Sequence, residues 1–540
     1  MPDAHGRGRA DVGRAAAGHA RRAPPPPTRL SEARSHRGGP EPGPPRWGVN
    51  PSRRPHAPAA PSPSRGGTNR SRARTPESGV SHVSAGGRPG ARGRRTLRAE
   101  SGGRRAARGA AGVGSLPMTD SPRFDVDACR GAFPQLADGI AYFENAGGSY
   151  VPSPVLDAMD AFLRSSQVQP SWSFASSRKA RERVDAGIAA LAALTGAEPD
   201  ELVLGHSTTV NVLVLAQALR PTWEEGDVVI VTNQDHEANG GAWRRLAASG
   251  IEVREWKVDP STGELDPAEL ARLLEGARGK ARLVAFPQVS NVVGSLNDVG
   301  AWTAMAHEAG AQVCVDGVAY APHRLIDVKG WGVDWYVFSA YKVYGPHLGV
   351  MVGRREAIAA AANANHYFHA ENVPAKLNPG GMQYEAVAAC AGIGAYLDAV
   401  WADSFAAPEG TATLPDPRTR HADVFDLFAA QEEAIATRVV DYLATRSDVR
   451  LIGRATGERS ARMPTIAFHP EKVAPKVLAE RLAEEGVAIG ASHFYAPRVL
   501  EAMGLDPERG VARISAVHTN TLEEVERLLG ALERALETPA

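Results

Sequence analysis

From about residue 140 the chain alternates short, almost unbroken apolar runs with longer segments whose apolar residues fall three or four apart. The runs lie at 202–204, 227–231, 282–286, 312–315, 335–338 and 350–352, and five of them stop at Gly205, Thr232, Pro287, Asp316 and Ser339. The segments 267–276 and 300–309 between them carry the helical period. Short apolar strands alternating with helices predict a mostly parallel sheet buried on both faces. In such a sheet the polar residues just past the strand ends line the ligand crevice. That rule selects 206–209, 235–239, 288–291, 316–319 and 339–342.

After about residue 376 the pattern changes. Long helical stretches at 383–400, 425–446, 473–485 and 521–536 surround a few short strands. This predicts a large α/β domain over 136–375 and a smaller α+β domain built from 118–135 and 376–540. Residues 403–424 carry Pro, Asp, Thr and Gly and predict a mobile surface insertion. No internal repeat and no apolar run of about 18 residues, the length needed to span a membrane, is expected.

Charge divides the chain more sharply than hydropathy does. The whole is neutral, but residues 1–117 hold 23 arginines, no lysine and 6 acidic residues, a net of +17, so the other 423 residues carry −17. Residues 1–117 contain no Ile, Phe, Tyr or Cys and only Trp47 among large aromatics. Such a composition cannot bury enough apolar surface to offset the entropy of ordering, which predicts disorder. An arginine-rich arm suits RNA or DNA through phosphate neutralisation. A passive tail or a translated upstream region suits the composition better, with Met118 as the candidate start, and the acidic body argues against nucleic acid as a partner. No apolar core of a secretory signal follows the arginines. Three cysteines, Cys129, Cys314 and Cys390, have no metal-ligand spacing and suit a reducing compartment, so a cytoplasmic protein without a metal centre is expected.

The strand ends carry the candidate chemistry. Lys342 follows the run 335–338 by a few residues. An amine there can condense with an aldehyde cofactor if its pKa is lowered, although an ordinary surface lysine reads the same way. Asp316 ends the run 312–315, where a carboxylate can keep a pyridine nitrogen protonated. Facing a cation at about 4 Å, it would gain on the order of 4 kcal/mol at an effective dielectric near 20. A helix N-cap is the plainer role for it. His206-Ser207-Thr208-Thr209-Val210-Asn211 opens a helix with hydroxyls and free N–H groups, which makes either an anion site or simple capping. Asp235-His236-Glu237-Ala238-Asn239 has metal-binding residue types at poor spacing, so an imidazole stacked on a planar ring is the better reading.

In this order the segments resemble the class V aminotransferase family of fold-type I pyridoxal 5′-phosphate (PLP) enzymes, in its cysteine-desulfurase-like branch. The resemblance covers nearly all of 122–538. It runs from Ala141-Tyr142-Phe143-Glu144-Asn145-Ala146-Gly147-Gly148-Ser149 through Ser207-Thr208-Thr209, Asp235–Asn239 and Val289-Ser290-Asn291-Val292-Val293-Gly294. It ends with Val315-Asp316-Gly317 and the highly specific Phe338-Ser339-Ala340-Tyr341-Lys342-Val343-Tyr344-Gly345-Pro346. The resemblance implies that Lys342 holds PLP as a Schiff base and moves the Cα proton. It implies that Asp316 partners the ring nitrogen, that His236 stacks on the ring and relays protons, and that Thr208, Thr209 and Ser339 bind the phosphate. Tyr341 stands where desulfurases usually carry histidine. Asn291 is similar to the family's asparagine near the substrate carboxylate, and Arg513 to the arginine that receives it, a role that suits a guanidinium. A homodimer with an amino acid or amine substrate and no membrane partner follows from the same resemblance.

Three departures narrow the reading. The loop Gly490-Ala491-Ser492-His493-Phe494-Tyr495-Ala496-Pro497 has no cysteine where desulfurases carry their nucleophile, and Tyr495 stands about where the thiol would be. Persulfide-forming desulfuration is therefore disfavoured, and Tyr495 with His493 and Phe494 is expected to shape a substrate pocket or to pack locally. Ala319 replaces a Gln or His that bonds the cofactor's phenolic oxygen, with Tyr320 and His323 as candidate substitutes. Pro379-Gly380-Gly381-Met382-Gln383 replaces a Gly-Thr-Pro segment whose threonine reaches the partner subunit's phosphate. The expected function is PLP chemistry at Cα, with transamination first. C–S cleavage without a persulfide, racemisation and a non-catalytic binding role are the alternatives, since fold and cofactor do not choose among them.

Overall fold

The computed structural model describes residues 124–405 and 414–537. The basic segment 1–117 and residues 406–413 of the expected insertion lie outside the described residues. Seven strands form one sheet in the order Leu202–Gly205, Gly349–Gly353, Trp335–Ser339, Gln312–Asp316, Ala281–Pro287, Val228–Thr232 and Glu252–Trp256. Gly349–Gly353 alone runs against the direction of the other six strands. Six of these strands are the expected apolar runs, and Val228–Thr232, Trp335–Ser339 and Gly349–Gly353 are buried at every position, which is why they show no alternation.

The seventh strand, Glu252–Trp256, is not anticipated by the apolar pattern. It lies at the sheet edge, where Glu252 and Arg254 form an ion pair of 2.8 Å and Trp256 alone is fully buried. Charged residues on an edge strand hide it from a search for apolar runs and also discourage pairing with another chain.

Helices cover the sheet largely where the periodicity placed them, at Pro267–Gly276 and Val299–Glu308. The helix expected from 425 begins at Pro417, because Asp416 accepts the Thr419 N–H and proline fills the first helical position. Residues 417–424 of the expected insertion are therefore helical. Among the described residues no membrane span is evident, and one segment alone meets the length and composition of one. Residues 384–404 are long and apolar enough by length and composition, and 61 % of that window is buried inside the fold. Here these residues are core helices, packed on Ser153–Ser165 and Ala175–Thr195.

The apolar packing changes later than residue 376. Tyr384–Ala389 and Ala391–Ser404 share a core with the large sheet. A separate core starts within Pro417–Ala444 at Ile435 and takes in Pro475–Glu484, Leu522–Glu537 and a four-stranded antiparallel sheet. Ala141 and Phe143 also belong to this second core, and Ala141–Tyr142 pairs in parallel with Val487–Ala488.

Candidate active site

Lys342 closes a single tight turn, Ala340–Lys342, at the end of Trp335–Ser339. The strand is buried throughout, so the turn that follows it has a fixed origin. The Ser149 N–H donates to the Tyr341 carbonyl at 3.1 Å and the Ser149 hydroxyl donates to the Lys342 carbonyl at 2.8 Å, bracing the turn from the other side. Lys342 is 8 % exposed. Burial first, and then the nearby Arg513 cation, push its amine down to about 8. Such an amine has a reactive neutral fraction near neutral pH.

Asp316 ends the neighbouring strand and lines the same pocket as Lys342. Gly317 must follow it without a side chain, because a Cβ there would lie 2.0 Å from the Tyr336 hydroxyl. One Asp316 oxygen accepts the Val318 N–H at 2.9 Å, and among the described residues no protein donor reaches the other. Burial pushes its pKa up to about 6, against the lowering effects of that N–H and of Lys342. Behind it, buried Asp235 is pushed up to about 7 by desolvation, with hydrogen bonds from Thr232 at 2.6 Å and Asn239 at 3.1 Å. Of these two buried carboxyls only Asp316 lines the pocket.

The opposite end of the pocket is built for an anion. Helix Thr208–Leu219 begins there, with Ser207 as N-cap accepting the Val210 N–H. Its first-turn N–H groups carry the positive end of the helix dipole. The Thr208 and Ser339 hydroxyls share a hydrogen bond of 2.8 Å, and Tyr341 lines the pocket beside them. Gly349 permits this approach, since a Cβ there would lie 2.3 Å from the Ser207 carbonyl carbon. Thr209 lines the same corner.

His236 caps helix Glu237–Arg244, its Nδ1 accepting the Ala238 N–H at 3.0 Å. That bond leaves the ring proton on Nε2 in the neutral form. Burial, then the Lys342 and Arg513 cations, push the imidazole down to about 4, so it is neutral at physiological pH. Its ring lies 5.4 Å from that of Tyr495. Tyr495 itself is 70 % exposed and does not line the pocket, so it stands at the mouth of the site rather than inside it. The Glu237 N–H donates to its carbonyl at 2.8 Å, which pins the loop there.

Asn291 lines the pocket, and its Nδ2 donates to the Phe494 carbonyl at 2.8 Å. Arg513 does not line it. It pairs with Glu144 at 2.7 Å, and the Phe494 ring lies 3.7 Å from its guanidinium carbon. Glu144, quoted in the sequence only as part of a motif, is the Arg513 partner that sequence reasoning missed, because 369 residues separate the two. Neither candidate substitute for the missing contact at Ala319 lines the pocket. Buried His323 is committed to Glu432 at 3.0 Å, and Tyr320 packs edge-on against Trp331. All three cysteines are buried with raised pKa values, and none lines the pocket. Among the described residues no cluster of three metal-ligating side chains occurs.

A cofactor with an aldehyde, a basic ring nitrogen and a phosphate fits this set. Lys342 supplies the amine, Asp316 an unpartnered carboxylate oxygen, and Thr208, Thr209 and Ser339 an anion cradle. Comparison with known proteins agrees with this inventory. Residues 141–406 and 424–528 match the model of the aminotransferase class-V family. The chain is 34 % identical over 426 residues to an aminotransferase-like protein, FGM3, of Gibberella zeae, covering 77 % of this chain and all of that one. It is 30 % identical over 423 residues to the cysteine desulfurase-like protein ustD of Aspergillus flavus, covering 76 % and 90 %. The crystal structure of the cysteine desulfurase CsdA of Escherichia coli superposes with a TM-score of 0.65 at 26 % identity, covering 77 % of this chain and all of that one. Members of this family use pyridoxal phosphate, and the sheet with its strand-end site is the fold-type I architecture. The chain therefore belongs to the class V aminotransferase family, in its cysteine-desulfurase-like branch.

Proposed function

We propose that the protein is a PLP-dependent enzyme that acts at Cα of an amino acid or amine, with transamination as its reaction. The observation that carries this reading is the buried Lys342 amine, pushed down to about 8, in one pocket with Asp316 and the Thr208–Ser339 cradle. When bound there, the cofactor supplies an electron sink for charge developing at Cα. Lys342 Nζ is the base that takes the Cα proton and returns it. Asp316 holds the cofactor's ring nitrogen in its protonated form, and the anion cradle fixes the ring's other end. His236 covers the site with a neutral ring and presents its Nε2 proton. Transamination needs only these residues.

The relatives' names support C–S cleavage as a second reading. It would proceed by elimination without a persulfide, because the three buried cysteines offer no thiolate to the pocket. Homodimeric assembly belongs to the proposal. A cytoplasmic setting, from the cysteine content, also belongs to it.

The test is the visible absorption of the full-length chain loaded with PLP. A band that borohydride removes, absent in Lys342→Ala, is expected. Identical spectra for both proteins would sink the proposal. Adding amines and amino acids singly, with assays for carbonyl product, ammonia and sulfide, then separates transaminase from lyase.

A further inference from the structure

Tyr344 stands two residues after Lys342. It is 1 % exposed, and its φ of +59 is an uncommon conformation for a bulky residue. Such a backbone persists only where its surroundings over-determine it. Here a chain of hydrogen bonds does so. The Tyr344 hydroxyl donates to the Pro322 carbonyl at 2.7 Å, in the segment that follows Asp316. His518 Nδ1 lies 3.1 Å from the same hydroxyl oxygen, and the Tyr396 hydroxyl lies 2.6 Å from His518 Nε2.

The direction of each bond is fixed. The Tyr344 proton is committed to Pro322, so Nδ1 must donate to the Tyr344 oxygen. A neutral imidazole then has a bare Nε2, which accepts the Tyr396 proton. Burial, and then His323, hold the His518 imidazole well below its ordinary pKa, so it is neutral. The protons therefore point one way, from Tyr396 through His518 and Tyr344 to Pro322.

His518 is itself held from two sides. It is fully buried and lies face to face on Phe428 of helix Pro417–Ala444, with ring centroids 3.5 Å apart. It follows strand Val511–Ser515, and Asn520 Oδ1 accepts the Val517 N–H at 3.0 Å beside it. Tyr396 belongs to helix Ala391–Ser404. Three elements thus converge on Tyr344, and Tyr344 joins the Lys342 turn to the segment after Asp316. Packing alone would need a ring at position 518 but neither of its nitrogens.

We propose that His518 is a positioning residue for Lys342, which acts through Tyr344 to lock the turn that sets the reacting amine against Asp316. The assignment rests on the proposed role of Lys342 and names the residue that aims it.

The test reads the Lys342 amine in the full-length chain without PLP, by competitive acetylation with acetic anhydride from about pH 6 to about pH 11.5 and peptide mass spectrometry. The charged groups that act on this amine are Arg513, Asp316 and Glu144, and no variant alters them, so a moved midpoint reports lost burial. The wild-type midpoint is expected near 8. His518→Phe keeps a ring on Phe428 without the hydrogen bonds, and Tyr344→Phe removes the hydroxyl that His518 holds. Each is expected to raise the midpoint by about one pH unit or more. His518→Gln brings back one donor and one acceptor and is expected within about 0.3 of wild type. Tyr396→Phe is expected to lose stability to urea but to keep the wild-type midpoint, because the Nδ1 bond to Tyr344 stays in place.

A wild-type midpoint in either His518→Phe or Tyr344→Phe overturns the assignment and leaves plain packing. A rise in Tyr396→Phe equal to theirs overturns it as well, since general loosening would then explain all three. If His518→Phe does not fold, Tyr344→Phe against Tyr396→Phe decides the same question. PLP capture by the wild-type chain is scored separately. Its absence sinks the proposed function, while the acetylation midpoints still decide whether His518 aims Lys342.

Discussion

The hydroxyls of Thr208 and Ser339 meet at 2.8 Å across 131 residues of chain, tying the start of helix Thr208–Leu219 to the strand that carries Lys342. Both residues are buried, at 4 % and 5 % exposed, so each hydroxyl depends on the other or on a ligand for its hydrogen bond. Thr208→Val or Ser339→Ala removes one anchor for an anion and strands the other. A hydrogen bond to a charged group contributes about 1.5–3 kcal/mol. Each variant should therefore bind PLP about tenfold to a hundredfold more weakly, read by absorbance titration of the apoprotein, while inorganic phosphate competes less well than against wild type.

Lys342 sets a pH dependence whose sign follows from its surroundings. Burial and Arg513 push its pKa down to about 8 from an ordinary 10.5. The neutral amine is the reactive form, so the rate at which apoprotein captures PLP should rise through pH 8 and level off above it. Stability follows the same group with its own sign. Between about 8 and 10.5 the unfolded chain keeps the lysine proton that the folded chain has lost, so this lysine's contribution to apoprotein stability becomes more favourable as pH rises through that window. Stopped-flow capture rates from about pH 6 to about pH 11.5, a range that brackets both the shifted and the ordinary lysine pKa, check the first point. A midpoint near 10.5 would show that the amine is not perturbed.

The place of the strand-end residues was legible in the sequence because the sheet is buried on both faces. Its strands read as apolar runs, and the residue after each run points to the crevice, which found Asp316, Ser339, Lys342 and His236 without contacts. Edge strand Glu252–Trp256 was not legible, since one buried Trp256 among charged neighbours makes no run. Glu144 was not legible either. Its pairing with Arg513 is made by a core that joins Ala141 and Phe143 to Ala512 and Ile514, and no local pattern encodes it. The same holds for His323. Its position near Ala319 suggests a cofactor contact, but Glu432, 109 residues away, claims its ring.

Glu432 makes that claim testable. It is 1 % exposed in helix Pro417–Ala444, and its two oxygens accept from His323 at 3.0 Å and Arg324 at 2.8 Å. These partners lie in the chain just after Asp316, so the helix holds the segment that frames the pocket. Removing one side of a buried ion pair leaves the other charge unpaired and costs about 3–5 kcal/mol. Glu432→Ala should lower the urea midpoint correspondingly. Glu432→Gln, which keeps one hydrogen bond, should lose less. Equal midpoints for wild type and Glu432→Ala would show that the pair contributes nothing net.

By the family resemblance Tyr495 stands about where desulfurases carry a nucleophilic thiol, and its surroundings predict what placing a thiol there would do. Tyr495 is 70 % exposed, and its side chain contacts the His236 ring at 5.4 Å. A nucleophilic cysteine needs a neighbour that favours its thiolate, such as a cation or a general base. Arg513 is neutralised by Glu144 and covered by Phe494, so it offers no free charge. His236 is pushed down to about 4 and already spends Nδ1 on the Ala238 N–H, so it is neither a cation nor a ready base at pH 7. Tyr495→Cys should therefore fold normally, with a stability change within about 0.5 kcal/mol as expected for an exposed site. It should also release no more sulfide from L-cysteine than wild type does, in the presence of dithiothreitol. Sulfide release that appears with this single substitution would mean that the loop residue alone separates this chain from a persulfide-forming desulfurase, and that the surroundings of Arg513 and His236 do not.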